Sequence, residues 1–239
     1  MSRKAKATFA KLTRPRPHKA VVRERLFDLM DSKIKEHPVL WVVGPPGAGK
    51  STLVASYVEA KKRPCLWYQL DAGDADVTAF FRYLLLAATE LTRKKLALPT
   101  VSGDLIPDPM AFGRAVFREL FASMPAGFVM VLDNYQEVEE SALLHSVLRE
   151  AIAEIASGTN LIVISRALAP TPFARHRAHG ALSEFGFEDL NLTTDEAIEF
   201  AGTRGIIDEE VIRAVHAKTS GWIAGLNLEL CSKVVYEMK

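Results

Sequence analysis

Two cysteines in 239 residues, Cys65 and Cys231, leave little room for sulfur chemistry. They lie far apart and match no paired ligand spacing, which excludes a zinc ribbon or a disulfide framework. Cys65 falls in the apolar run "PCLWYQL" and reads as a buried thiol in a reducing compartment. The six histidines form neither HExxH nor a cysteine/histidine cluster, so no metal held by such ligands is indicated. An excess of one charge is also lacking. The 30 basic and 29 acidic residues give a net charge of +1, and no global field favours nucleic acid. No apolar run reaches the roughly 18 residues of a membrane span. No charged segment followed by an apolar one opens the chain. The expectation is a cytoplasmic protein with no membrane partner. Repeats and low-complexity tracts are absent too.

What is present is an ordinary globular composition, 49% hydrophobic and 25% charged. The length suits one large domain or two small ones. Residues 1–20 are basic and broken by Pro15 and Pro17, so they read as an extended leader. Such an arm is a solvated tail, a nucleic-acid contact or a targeting leader. Val21–His37 then carries a helical apolar period, stopped by Pro38.

Five strand-length segments follow: "VLWVV" (Val39–Val43), "CLWYQL" (Cys65–Leu70), "GFVMVLD" (Gly127–Asp133), "NLIVISR" (Asn160–Arg166) and "ALSEFGF" (Ala181–Phe187). Between them, helices are expected over Thr52–Ala60, Val77–Leu96, Met110–Met124 and Ser141–Ser157, with a Pro/Gly/Ser-rich loop over Ala97–Pro109. Continuous apolar strands alternating with helices predict an α/β fold, a mostly parallel five-stranded sheet sandwiched by helices. Past residue 188 the strands stop and only short helical segments remain, with Thr193 or Thr194 and Asp208 as N-caps. The expected organisation is a nucleotide-binding domain over 21–187 and a small helical lid over 188–239.

Gly44-Pro45-Pro46-Gly47-Ala48-Gly49-Lys50-Ser51 fits G-x-x-x-x-G-K-[ST] at every fixed position. Polyphosphate needs several backbone N–H groups aimed inward at once, which forces backbone angles that glycine tolerates. Proline holds the loop in shape before a ligand arrives. The next helix, through Thr52, points its N-terminus at the phosphates. Lys50 is expected to reach the β- and γ-phosphates and Ser51 to ligate Mg²⁺. "FVMVLDN" supplies the second acidic element, a buried strand ending in Asp133, which would hold Mg²⁺ with Ser51. Asn134 stands where many hydrolysing enzymes of this kind place an acid. An amide can orient water but cannot accept its proton as a carboxylate does, so slow or absent hydrolysis is expected. Arg166 ends the fourth strand, on the side where open α/β sheets bind ligands, and is a candidate sensor of the γ-phosphate. Asp71, after the second strand, either lies near the Mg²⁺ or caps a helix. "FARHRAHG" (Phe173–Gly180) is a short basic run, either a solvated face or a phosphate contact.

The ordered set resembles the N-terminal nucleotide-binding module of MalT-like regulators, in the class of signal-transduction ATPases with numerous domains. The resemblance runs from "KLTRPRPHKAVVRERL" (Lys11–Leu26) through the phosphate loop and "VLDNYQEV" (Val131–Val138) to "VISRALAP" (Val163–Pro170) and "TSGWIAGLNLELCS" (Thr219–Ser232). It implies that Val22 and Arg23 help hold adenine and that Arg166 reads the γ-phosphate. It also implies that the lid closes over ATP or ADP with Trp222 packing it, and that ATP promotes self-association. Such proteins continue into further domains, so a fragment is expected, with DNA contacted only through an output domain missing from this chain. The alternative is a P-loop enzyme with ordinary turnover, an ATPase of the loader type or a small-molecule kinase. Against a kinase, the last fifty residues carry only Arg204 and Arg213.

Overall fold

The computed structural model describes residues 9–17, 20–92 and 106–237. Residues 1–8 and 18–19 of the leader lie outside them. So do residues 93–105, which hold the expected end of the second long helix and most of the Pro/Gly/Ser-rich loop. The strands are β1 (Val39–Val43), β2 (Cys65–Gln69), β3 (Val129–Asp133), β4 (Asn160–Ser165) and β5 (Leu182–Phe185). The helices are α1 (Glu24–Glu36), α2 (Lys50–Ala60), α3 (Val77–Thr92), α4 (Pro109–Ser123), α5 (Leu143–Ile152), α6 (Ala174–Ala178), α7 (Phe187–Leu190), α8 (Thr194–Gly202), α9 (Glu209–Thr219) and α10 (Ile223–Glu237).

The strands form one parallel sheet in the order β2-β3-β4-β1-β5. Strand residues alternate between its two faces. Val39 and Trp41 of β1 pack with α3, α4 and α5, while Leu40 and Val42 pack with α1 and α2. Both faces are covered, which is why β1 is apolar at every position. Each fully buried large side chain of this kind contributes about 1.5–3 kcal/mol. The edge strand β5 is the polar exception, with Ser183 and Glu184 half-buried. The chain leaves β1 towards β2 at one edge and leaves β4 across β1 to β5 at the other. The carboxyl ends of β1 and β4 therefore flank the kind of switch point where such sheets bind ligands.

Several helix bounds differ from the periodicity, and three have a clear local cause. Glu24 opens α1 three residues late, because Val21–Arg23 runs along α8–α10 instead of joining the helix. Lys50 opens α2 two residues early, because the left-handed Gly49 (φ 79°) turns the chain directly into it. Ile152 ends α5 early, where Glu154 N–H and Ile155 N–H bond three residues back and tighten the last turn.

The strand-free segment has a core of its own. Leu192, Ala197, Phe200, Ile212, Val215, Leu226 and Leu230 cluster together, and Val21 joins them from across the chain. Thr193 is the N-cap of α8, exchanging two hydrogen bonds with Glu196. Arg23 and Arg25 tie this segment to the start of α1. Arg25 Nε donates to Glu196 Oε1 at 2.8 Å, Arg23 Nε donates to Glu196 Oε2 at 3.2 Å, and both guanidinium groups donate to the Asn191 carbonyl. Burial opposes the Glu196 charge, but Arg25, the Thr193 N–H and Arg23 outweigh it and hold the carboxyl below its usual range. A depressed folded pKa contributes stability above the unfolded value, about 4.3, that is lost as pH falls through the lowered folded value. Acid titration followed by proteolysis should therefore cut near residues 186–192 at a higher pH in Glu196→Gln than in the parent. Identical acid profiles would show that Glu196 does not hold the segment.

Candidate functional site

Gly47 (φ 74°) and Gly49 (φ 79°) supply the left-handed turns that curl Gly44–Ser51 into a cradle. No side chain caps α2, so the N–H groups of Lys50, Ser51 and Thr52, which have no carbonyl behind them in the helix, remain available to an anion. Lys50 Nζ folds back onto the loop, donating to the Gly44 carbonyl at 2.6 Å and the Pro45 carbonyl at 2.9 Å. Burial and then the nearby Arg166 charge lower the Lys50 pKa, against the pull of Asp133. Two cations crowded into one cavity favour a polyanion between them.

Ser51 Oγ donates to Asp133 Oδ1 at 2.9 Å, and the Asn134 N–H donates to the same oxygen at 2.9 Å. Asp133 is buried, which pushes its carboxyl above the usual range despite the Ser51 and Asn134 hydrogen bonds and the Lys50 charge. A hydroxyl paired with one carboxylate is too few ligands for a divalent cation on its own, and no cluster of three or more His, Cys, Asp or Glu residues that could hold a metal occurs among the described residues. The pair fits Mg²⁺ that is held jointly by phosphate oxygens.

These groups line one polar cavity of about 290 Å³, formed by Pro46, Gly47, Gly49, Lys50, Ser51, Thr52, Asp133, Asn134 and Arg166 together with Ile164 and Gln136. Of the remaining loop residues, Ala48 is buried beneath the loop, and Gly44 and Pro45 meet the site through the carbonyls that hold Lys50. Gln136 was not singled out by motif. Its Oε1 accepts from the Arg166 N–H at 3.0 Å, joining the loop after β3 to the end of β4. Its position three residues after Asp133 was the available signal. Glu137 and Glu139 do not line the cavity. Asp71 caps a 3-10 turn at Ala72–Ala75 and pairs with Lys11 at 2.8 Å, away from the phosphate loop.

A second, largely apolar cavity of about 160 Å³ adjoins the first, since Gly49 and Thr52 line both. Val21, Phe27 and Leu53 form one wall, and Leu192, Phe200, Arg204 and Ile223 from the helical segment form the other. Arg23 lines it, with its guanidinium engaged by Glu196 and Asn191. Val22 does not line it and is 55% exposed, because the extended backbone there turns Val21 inward and Val22 outward. Arg204 and Phe200 were missed in the sequence. Nothing in their spacing marks them, and folding alone brings them here.

The helical segment also touches the phosphate loop. Trp222 Nε1 donates to the Pro46 carbonyl at 3.2 Å, and the Ala224 N–H donates to the Gly47 carbonyl at 3.2 Å.

A glycine-rich phosphate cradle at the end of β1, with an acid at the end of β3 of a parallel sheet, defines a P-loop NTPase fold. A family model described as Nephrocystin 3, N-terminal, matches residues 20–166, and the chain belongs to that family. It is 31% identical over 228 residues to the HTH-type transcriptional regulator MalT of Vibrio campbellii and 30% identical over 225 residues to that of Vibrio cholerae. Each match covers 92% of this chain and 24% of the relative, so the chain spans about a quarter of those regulators. The resemblance to MalT-like regulators read from the motifs is borne out. Among solved structures, a Walker-type ATPase of Pyrococcus abyssi shares the fold at a TM-score of 0.56 and 15% identity, over 88% of this chain and 67% of that one. No helix among the described residues is long and apolar enough to cross a membrane.

Proposed function

We propose that this chain is the ATP/ADP-binding switch module of a MalT-like regulator and that it hydrolyses ATP slowly. One observation carries the reading: the polar phosphate cavity adjoins, at Gly49 and Thr52, an apolar cavity to which the helical segment contributes one wall. A nucleotide lying across both places its phosphates on the loop and its base against Val21, Phe27 and Phe200. Ser51 and Asp133 would hold Mg²⁺ with the phosphates, and the metal neutralises phosphate charge there. Lys50 leaves the Gly44 and Pro45 carbonyls for the β- and γ-oxygens, and Arg166 distinguishes ATP from ADP. The segment over 188–239 acts as the lid. It contributes one wall of the base cavity, so any change in nucleotide that favours a different wall position moves it. A part in transcription control is suggested by the name of the MalT relatives, and self-association in the ATP state is proposed with it, as the family resemblance implies. The role of this module is to hold nucleotide, not to touch DNA.

The test is to denature the purified protein and identify released nucleotide by chromatography. Stoichiometric ADP is expected. A site that is empty as purified, binds ATP weakly and turns it over quickly would overturn the switch in favour of an ordinary enzyme.

The slow step is assigned to Asn134. Its backbone is left-handed (φ 62°), a conformation that aspartate also tolerates. Asn134→Asp should therefore fold normally and raise steady-state phosphate release by about tenfold or more, by restoring a proton acceptor. An unchanged rate would place the limit in product release.

A further inference from the structure

The short basic run Phe173–Gly180 lies on a cavity separate from the nucleotide site. This cavity has a volume of about 480 Å³, and none of its lining residues lines the other two. Arg149 and Glu150 come from α5, Arg175 and His176 from α6, and His179 from the residue that ends α6. Pro172, Ala153 and Ala181 add apolar wall.

The balance of charge is one-sided. Glu150 is the only acid in the lining, and it already accepts from Arg149 at 3.0 Å and from Arg114 of α4 at 3.2 Å. Arg177, the remaining arginine of the run, is turned away to Glu184 at 2.9 Å. Among the described residues, the side chains of Arg175 and His179 make no hydrogen bond or ion pair. His176 Nδ1 is buried without a hydrogen-bond partner. That nitrogen is closed to solvent, so an anion in the cavity meets it only when the imidazole ring turns, which would remove the desolvation cost of leaving it unpaired. Burial comes first in holding the His176 imidazole below its ordinary value; Arg149, Arg175 and His179 add to it, and Glu150 opposes them. An anion in the cavity would reverse that balance.

We propose that this cavity is a second anion site that takes the phosphate group of a small phosphorylated molecule, with Arg175, His176 and His179 as its donors and Arg149 at its edge. The volume lies in the range of small-molecule sites and exceeds what a bare phosphate fills, and the apolar wall suits the organic part of a monoester. A nucleic-acid backbone fits less well, because it needs a stripe of cations along a face, whereas Arg149, Arg175, His176 and His179 form a compact cluster in a chain of net charge +1. The proposal does not depend on nucleotide binding at the phosphate loop.

The test follows the histidine ring resonances by NMR, which report binding at this cavity whatever happens at the loop. Phenyl phosphate should shift the His176 and His179 signals saturably and raise the His176 pKa. Arg175→Gln changes an exposed side chain with no partner, so the fold and melting temperature should be kept. Its affinity should fall by about tenfold or more, the loss of one charge-assisted contact. Tighter binding of phenyl phosphate than of inorganic phosphate assigns an organic monoester, and equal binding assigns the free anion. Shifts that never saturate, affinity unchanged by Arg175→Gln, or saturation only with a short oligonucleotide would overturn the site.

Discussion

Lys50→Ala is expected to lower ATP affinity by about 30- to 1000-fold, the cost of losing charge-assisted contacts to phosphate. The apo protein should be far less affected. Its Nζ donates only to the Gly44 and Pro45 carbonyls, which line the loop edge, and its charge sits in a partly desolvated place beside Arg166. Removing it relieves that repulsion, so the melting temperature without nucleotide should hold or rise slightly. Calorimetric titration separates the two effects. Weak ATP binding with an unchanged apo melt places the loss at the phosphates. Unchanged affinity would remove the phosphate-loop assignment and, with it, the proposed switch. Because the interaction is ionic, raising salt should weaken the parent more than the variant.

Most of the nucleotide-binding fold was legible in the sequence, for a physical reason. A strand buried on both faces is apolar along its centre, as "VLWVV" and the "LIVI" of β4 are, and such segments alternating with helices admit few arrangements. Strand order was not legible. It depends on which crossover packs on which face, and nothing local records that β4 lies between β1 and β3. Within the site, the loop and Asp133 could be read because each must sit at a fixed spacing on the chain. Gln136 offered only its place three residues past Asp133, since its part is set by a contact with the Arg166 N–H thirty residues away. The apolar cavity beside the phosphate loop was least legible of all. Phe200 and Arg204 lie on α8 and just after it, where a buried aromatic and an arginine look like ordinary helix packing, and only the docking of that segment sets them beside the phosphate loop. The same holds for Arg23. The family resemblance pointed it at adenine, and it lines that apolar cavity with its charge taken up by Glu196 across the fold.

Gly47→Ala is expected to undock the lid. The residue sits at φ +74°, where a β-carbon costs about 1–2 kcal/mol. That β-carbon would also lie 2.3 Å from the Ala224 β-carbon, which is fixed to the backbone at the start of α10 and cannot swing aside. Overpacking of this kind costs about 1–3 kcal/mol. Either the loop or α10 must move, and α10 is held there by two hydrogen bonds of 3.2 Å, from Trp222 Nε1 to the Pro46 carbonyl and from the Ala224 N–H to the Gly47 carbonyl. Trp222 is the reporter. Trp41 and Trp67 are buried in the sheet, so a red shift in emission on undocking comes from Trp222 alone. Ala224→Gly in the same chain removes the clash but not the left-handed strain, and it should recover the clash share of the loss in a double-mutant cycle. If Gly47→Ala leaves the emission and the proteolytic pattern unchanged, the loop does not hold the lid. If the double variant recovers docking, the loop that would cradle phosphate and the contact that seats the lid are one structure, and whatever ligand reshapes Gly47 acts on the lid directly.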